Sequence, residues 1–158
     1  MTYSKYTTPT RLLSLPSSSS VLGMGWFVLE DAIGLTDIVV YLGKFGTAGG
    51  SETLTLKVYG NDDLTAAIAS SAAVTVSTLS NMATNWLGWA RFTFSTQPAL
   101  AAGRRYYLGI TSANYTVNGT TFFIGVQMDR HAPFNKPAHG EPADICRFRI
   151  NGVRQWPE

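Results

Sequence analysis

Three groups of residues in this 158-residue chain carry side chains able to do chemistry. The first is Asn61-Asp62-Asp63, two carboxylates and an amide, with Glu30, Asp31 and Asp37 able to approach in space. Calcium takes such oxygen ligands but needs six or more of them. The triplet alone does not fill that shell, and a turn or a helix cap accounts for it better, so no metal site is expected. The second group is aromatic: Trp86, Trp89, Tyr106, Tyr107 and Tyr115. Flat rings suit the apolar faces of pyranose sugars, with nearby polar groups fixing orientation. In an alternating strand one of each adjacent pair must face the core. Trp89 and one of Tyr106 or Tyr107 are therefore expected inside, which leaves the loop residues Trp86 and Tyr115 as the candidate sugar platform.

The third group is His131, His139 and Cys146. Neither histidine stands at a catalytic or metal-ligating spacing from the cysteine, and both sit among prolines in what reads as a solvated loop. Cys146 is the only cysteine, so no intrachain disulfide forms. Its alternating neighbourhood, Ile145-Cys146-Arg147-Phe148-Arg149-Ile150, makes it a small apolar strand residue. The chain has no Gly-x-Ser-x-Gly elbow, phosphate-cradling loop or dinucleotide fingerprint. The expectation is a protein that is not an enzyme and carries no cofactor. Asn114-Tyr115-Thr116 and Asn118-Gly119-Thr120 match glycosylation sequons, but Asn118-Gly119 reads better as a turn.

Short runs rich in Val, Ile, Thr and aromatics, each closed by Gly, Asn, Asp or Pro, dominate the elements that must position these residues. Strands are expected at residues 21–30, 37–45, 53–59, 74–76, 89–94, 105–111, 121–128 and 145–150. In residues 37–45 both faces are largely apolar, which predicts a central strand. Residues 53–59 alternate cleanly, with Leu54, Leu56 and Val58 on the inner face. Trp89, Arg91 and Thr93 oppose Ala90, Phe92 and Phe94. Residues 64–69, after the acidic triplet, read as one short helical turn. Residues 97–103 read as a loop, and Asn151-Gly152 as a hairpin turn.

Only 14% of the residues are charged, against about 25% in an average chain. The net charge of +2 is too small for nucleic-acid binding, which needs clustered cations to neutralise phosphates. Cations gather towards the end, at Arg130, Lys136, Arg147, Arg149 and Arg154, opposite Asp129, Glu141, Asp144 and Glu158. If that group acts together, an acidic protein surface suits it better than a duplex. No apolar run approaches the roughly 18 residues of a membrane span, and the first residues lack the apolar stretch of a signal peptide.

Taken together, the expected fold class is all-β, an antiparallel β-sandwich of jelly-roll type with one short helical turn. The chain divides into an N-terminal arm (1–20), a sandwich domain (21–130), and a Pro-rich loop with C-terminal strands (131–158) belonging to the same domain.

The strands Gly25-Trp26-Phe27, Ile38-Val39-Val40-Tyr41-Leu42-Gly43-Lys44, Leu54-Thr55-Leu56-Lys57-Val58-Tyr59 and Gly88-Trp89-Ala90-Arg91-Phe92-Thr93-Phe94, with Leu100-Ala101-Ala102-Gly103-Arg104-Arg105-Tyr106-Tyr107-Leu108, carry a resemblance. From Gly23 to Val126 the chain resembles a jelly-roll module of bacteriophage virion proteins, similar to carbohydrate-binding modules. The resemblance covers about two thirds of the sequence and encodes a fold rather than a site. It implies a structural virion protein, a capsid decoration or cement protein that stabilises a phage head. The alternative it implies is a carbohydrate- or receptor-binding module of a phage tail or surface protein. The implied partners are the major capsid protein or another virion protein, further copies in a homotrimer, and in the alternative a glycan. The implied location is the virion, after synthesis in the host cytoplasm without a signal peptide. Candidate partner-binding residues lie in the two extensions: Leu12, Leu13 and Leu15 in the arm, Phe134 and Trp156 in the tail, with Phe148 beside them; the alternative is that the arm and tail add edge strands to their own sheets.

Overall fold

The computed structural model describes residues 21–46, 50–81, 84, 88–114, 122–126, 128–130, 144–146 and 148–154. These residues form an antiparallel all-β structure of short strands: β1 (Leu22–Val28), β2 (Ile33–Gly34), β3 (Asp37–Gly46), β4 (Thr53–Tyr59), β5 (Ala67–Ser70), β6 (Val74–Thr75), β7 (Gly88–Thr93), β8 (Ala99–Leu100), β9 (Arg105–Ala113), β10 (Phe122–Val126), β11 (Met128–Arg130), β12 (Asp144–Cys146), β13 (Phe148–Ile150) and β14 (Val153–Arg154).

The first sheet runs β1-β9-β4-β5, with β6 beside β5 on β4. In the second, β3 is the long central strand, with β7 on one side and β10 and β13 placed end to end on the other. β14 closes onto β13. The pairings nest: β1 with β9, β2 with β8, β3 with β7, and β4 with β5 and β6. The chain from 22 to 113 is thus one long hairpin whose arms pair outward from its tip at β4 to β6. The β4–β9 ladder then brings an inner strand against an outer one, and the folded ribbon presents two sheets to one core.

That core follows the period of two in the sequence. Leu54, Leu56 and Val58 of β4 and Tyr106, Leu108 and Ile110 of β9 meet Ile38, Val40 and Leu42 of β3 and Ala90 and Phe92 of β7. Phe27 joins the layers, its ring 5.6 Å from that of Tyr106 and 6.0 Å from that of Phe148. The Tyr106 hydroxyl accepts the Ala101 amide at 2.7 Å, so this deeply buried phenol keeps a polar partner. Among the described residues no helix is long and apolar enough to cross a membrane.

Several expectations need correction. Residues 67–70 form strand β5, not a helical turn. The Asp63 carboxylate accepts the Thr65 amide at 3.2 Å and its hydroxyl at 3.0 Å. That closes a turn two residues on, and the free side of β4 then offers ladder bonds that an isolated turn of helix cannot match. The one helical turn is a 3-10 segment, Val76–Thr78, where a strand was expected to extend to residue 76. Residues 97–103 contain strand β8, paired with β2. Residues 145–150 are not one strand: β12 pairs with β11, and β13 pairs with β3. Phe148 and Ile150 are 1% exposed in the core, so β13 completes the chain's own second sheet.

Candidate functional site: the outer face of the second sheet

Alternation that buries Ile38, Val40, Ala90, Phe92, Phe148 and Ile150 must turn their neighbours outward. The register places Trp89 opposite Tyr41, Arg91 opposite Val39, and Arg149 opposite Val39 from the other side. The outer face of the second sheet therefore carries an aromatic pair with two arginines in the adjoining Val39 row. The Tyr41 and Trp89 ring centroids lie 5.1 Å apart, tilted by 50°. The Arg149 guanidinium lies over the Trp89 ring, 4.8 Å from its centroid. Trp89 nevertheless remains 45% exposed. Such cation–π contacts contribute about 0.5–1 kcal/mol at exposed sites, enough to bias side-chain orientation without immobilising it.

Arg91 is held differently. Its guanidinium donates to the Asp37 carboxylate at 2.7 Å, with the aspartate side chain nearly covered and the arginine mostly exposed. Asp37 is thus engaged in an ion pair and is not a spare oxygen for a cation at residues 61–63. Among the described residues no three His, Cys, Asp or Glu side chains gather as a metal would require.

A second aromatic–arginine stack sits on the outer face of the first sheet, where the Arg105 guanidinium lies 4.1 Å from the Trp26 ring centroid. Trp26 is only half-buried as a residue, yet its indole N–H is covered and has no hydrogen-bond partner among the described residues. A ligand would find that indole edge closed, which makes this the weaker of the two faces. A shallow cleft of about 220 Å³ opens beside β7, lined by Leu42, Val74, Leu79, Ala90, Trp89 and Arg91. Small-molecule pockets usually enclose about 300–1,000 Å³, and the core residues Leu42, Leu79 and Ala90 in its lining place this smaller cleft at the β7 edge of the core rather than on the outer face.

Trp89 was expected in the core and is instead exposed on this face, on the edge strand β7. The split of residues 89–94 into two faces was right, but their orientation was reversed for the tryptophan. Ala90, Phe92 and Phe94 are the inner set, and Arg91 and Thr93 share the outer side with Trp89. Trp86, Tyr115, Leu12, Leu13, Leu15, Phe134 and Trp156 lie outside the described residues, as do His131 and His139. Tyr41 and Arg149 were not singled out as partners of Trp89, because only the β3–β7 and β3–β13 registers bring the three together. No family model matches this sequence, and no curated protein is found similar to it.

Proposed function

We propose that this chain is a non-enzymatic structural component of a bacteriophage particle, a decoration or cement protein that docks through an exposed sheet face. The carrying observation is the outer face of the second sheet, where Trp89 stands 45% exposed in contact with Tyr41 and Arg149. A side chain of that size left nearly half in water adds little to the fold, whereas Trp, Tyr and Arg are the residue types that dominate binding hot spots. The nested strand pairing supports the jelly-roll reading of the sandwich. On this reading the protein is made in the host cytoplasm, joins the virion as a homotrimer, and contacts the major capsid protein or another virion protein. Repetition on a lattice lets individually modest contacts act together.

The test is mass spectrometry of purified particles of the encoding phage, followed by a heat challenge of particles lacking the gene. The chain should be present in many copies, and its loss should lower the temperature at which heads release their contents. Its absence from the particles would rule the reading out. A second reading, a glycan- or receptor-binding module, is favoured by the Tyr41–Trp89 pair alone. Saturable binding on a glycan array that disappears in Trp89→Ala would select it.

A further inference from the structure

We infer that residues 10–15 of one copy add as a strand to the free edge of β7 on the next copy, seating Leu13 and Leu15 in the cleft beside it. The inference rests on the homo-oligomer of the virion reading and names the contact that builds it. The register of β7 on β3 is unbroken from Thr93 to Gly88. The Phe94 amide donates to the Thr36 carbonyl at 2.9 Å, so Phe92, Ala90 and Gly88 also turn their main-chain groups towards β3. Thr93, Arg91 and Trp89 turn theirs to the other side, where the Thr93 carbonyl accepts the Ala72 amide at 2.8 Å. Among the described residues nothing pairs with the outward main-chain groups of Arg91 and Trp89. Such an edge is a template for a further strand. The cleft of about 220 Å³ opens along the same two residues, with Leu42, Val74, Leu79 and Ala90 in its wall. One water takes a share of about 30 Å³, so the cleft has room for one or two aliphatic side chains.

The occupant follows from the chain before Val21, which lies outside the described residues. Pro9 and Pro16 bracket Thr10-Arg11-Leu12-Leu13-Ser14-Leu15, a run of strand length, and neither proline can extend a ladder. In an extended strand Leu13 and Leu15 share one face. The position of β1 decides between the chain's own cleft and a neighbour's. β6 and β7 lie at one edge of the sandwich, where Val74 and Ala90 share the cleft, and β1 is the opposite edge of the first sheet, three strands from β6. From β1 to the cleft of the same molecule, the way round the outside is three strand spacings and one sheet separation, about 24 Å. The residues from Leu15 to Val21 span at most about 22 Å, so Leu15 falls short of its own cleft. An arm running outward from the β1 edge meets the β7 edge of a copy set alongside without that detour. Donor and acceptor are different edges, so the contact is head-to-tail, the kind that closes into a ring such as a homotrimer.

The experiment uses the full chain with Cys146→Ser and one new cysteine, Leu13→Cys in one preparation and Thr78→Cys in another, since Thr78 stands exposed at the cleft. Mixed under an oxidant, the two should yield covalent pairs of one chain of each kind. Their yield should be about tenfold or more above that of either preparation alone, because docking raises the local concentration. A chain carrying both cysteines should give linked multimers. A closed monomer in their place would overturn the proposal in favour of an arm folded onto its own sandwich. Light scattering gives a second readout: wild type should be a homo-oligomer, and the chain carrying both Leu13→Asp and Leu15→Asp, first shown to be folded by circular dichroism, should be a monomer. A double variant as oligomeric as wild type would overturn the proposal, as would a wild type that is monomeric and forms no mixed pairs. Mass spectrometry of the particles separates the two readings. Mixed pairs from a chain absent from particles would leave the exchange standing and the virion reading fallen, and a chain present in particles without mixed pairs would do the reverse.

Discussion

The Asn151 side-chain oxygen accepts the Thr36 amide at 2.8 Å across 115 residues of sequence. The same oxygen accepts the Thr36 hydroxyl at 2.9 Å and the Asp37 amide at 3.3 Å, while the Asn151 amide group donates to the Gly34 carbonyl at 2.8 Å. One asparagine thus ties the β13–β14 turn to the corner that leads into β3, directly beside the Asp37–Arg91 ion pair. Its backbone sits in the left-handed region, φ 48°, followed by Gly152 at φ 77°. Positive φ at both central residues is what a tight hairpin of this hand requires, and Asn-Gly supplies it with the least strain.

Asn151→Ala should therefore destabilise the protein by about 2 kcal/mol, because three donors and one acceptor lose their partner and alanine strains at positive φ. Asn151→Asp keeps the accepting oxygen and loses only the donor to Gly34, so it should fall between wild type and alanine. Urea unfolding followed by fluorescence measures both. An alanine variant as stable as wild type would mean that the turn does not anchor the C-terminal strands.

Trp89 and Phe92 are close in sequence and opposite in burial, 45% and 0% exposed. Phe92→Ala should cost about 3–5 kcal/mol through lost burial and the cavity left behind. Trp89→Ala should cost less than about 1 kcal/mol, since it removes only the contacts with Tyr41 and Arg149. Thermal melts of the two variants side by side settle the assignment. A Trp89 variant as damaged as the Phe92 variant would return the tryptophan to the core.

The inner face of β4 was legible because Leu54, Leu56 and Val58 recur at every second residue, and the Asn151-Gly152 turn because its φ requirement is local. What alternation could not decide was which set of residues 89–94 faces inward when one set holds a tryptophan and the other two phenylalanines. Size argued for Trp89, but Arg91 and Thr93 on the same face outweigh it, since burying Trp89 would have dragged the arginine inward with it. Residues 64–69 misled for the opposite reason. Local propensity favours helix across their alanines, and the free side of β4, which no local pattern reveals, turned Ala67–Ser70 into a strand. The Tyr41–Trp89–Arg149 grouping was hidden because its members are far apart in the chain and meet only through register.

Gly109 is required by a close approach on the outer side of the first sheet. A Cβ there would stand 2.6 Å from Val21 Cγ1 and 2.9 Å from Tyr59 Cε2. Tyr59 is itself 3% exposed, and β9 is held between β1 and β4, so neither the ring nor the strand has room to retreat. Gly109→Ala should therefore destabilise by about 1–3 kcal/mol, the range for overpacking. Combining it with Tyr59→Leu, which shortens the neighbour, should recover part of the loss. A Gly109→Ala variant more stable than wild type would show that the ring moves aside freely.

The same packing gives Tyr59 a consequence at high pH. Burial raises its phenol above the ordinary value of 10.0, because the charged phenolate is poorly solvated against β9. The folded state then keeps its proton where the unfolded chain has begun to release it. Stability from this group is fully present below about pH 10 and is lost as pH climbs through the raised folded value. Wild type and Tyr59→Phe should accordingly show a constant difference in unfolding free energy up to about pH 9. Above about pH 10 the phenylalanine variant should lose stability more slowly, since it has no phenol to ionise. The other tyrosines are common to both proteins and cancel in the comparison. Parallel alkaline profiles for the two would place the Tyr59 hydroxyl in contact with solvent and contradict its buried position against Gly109.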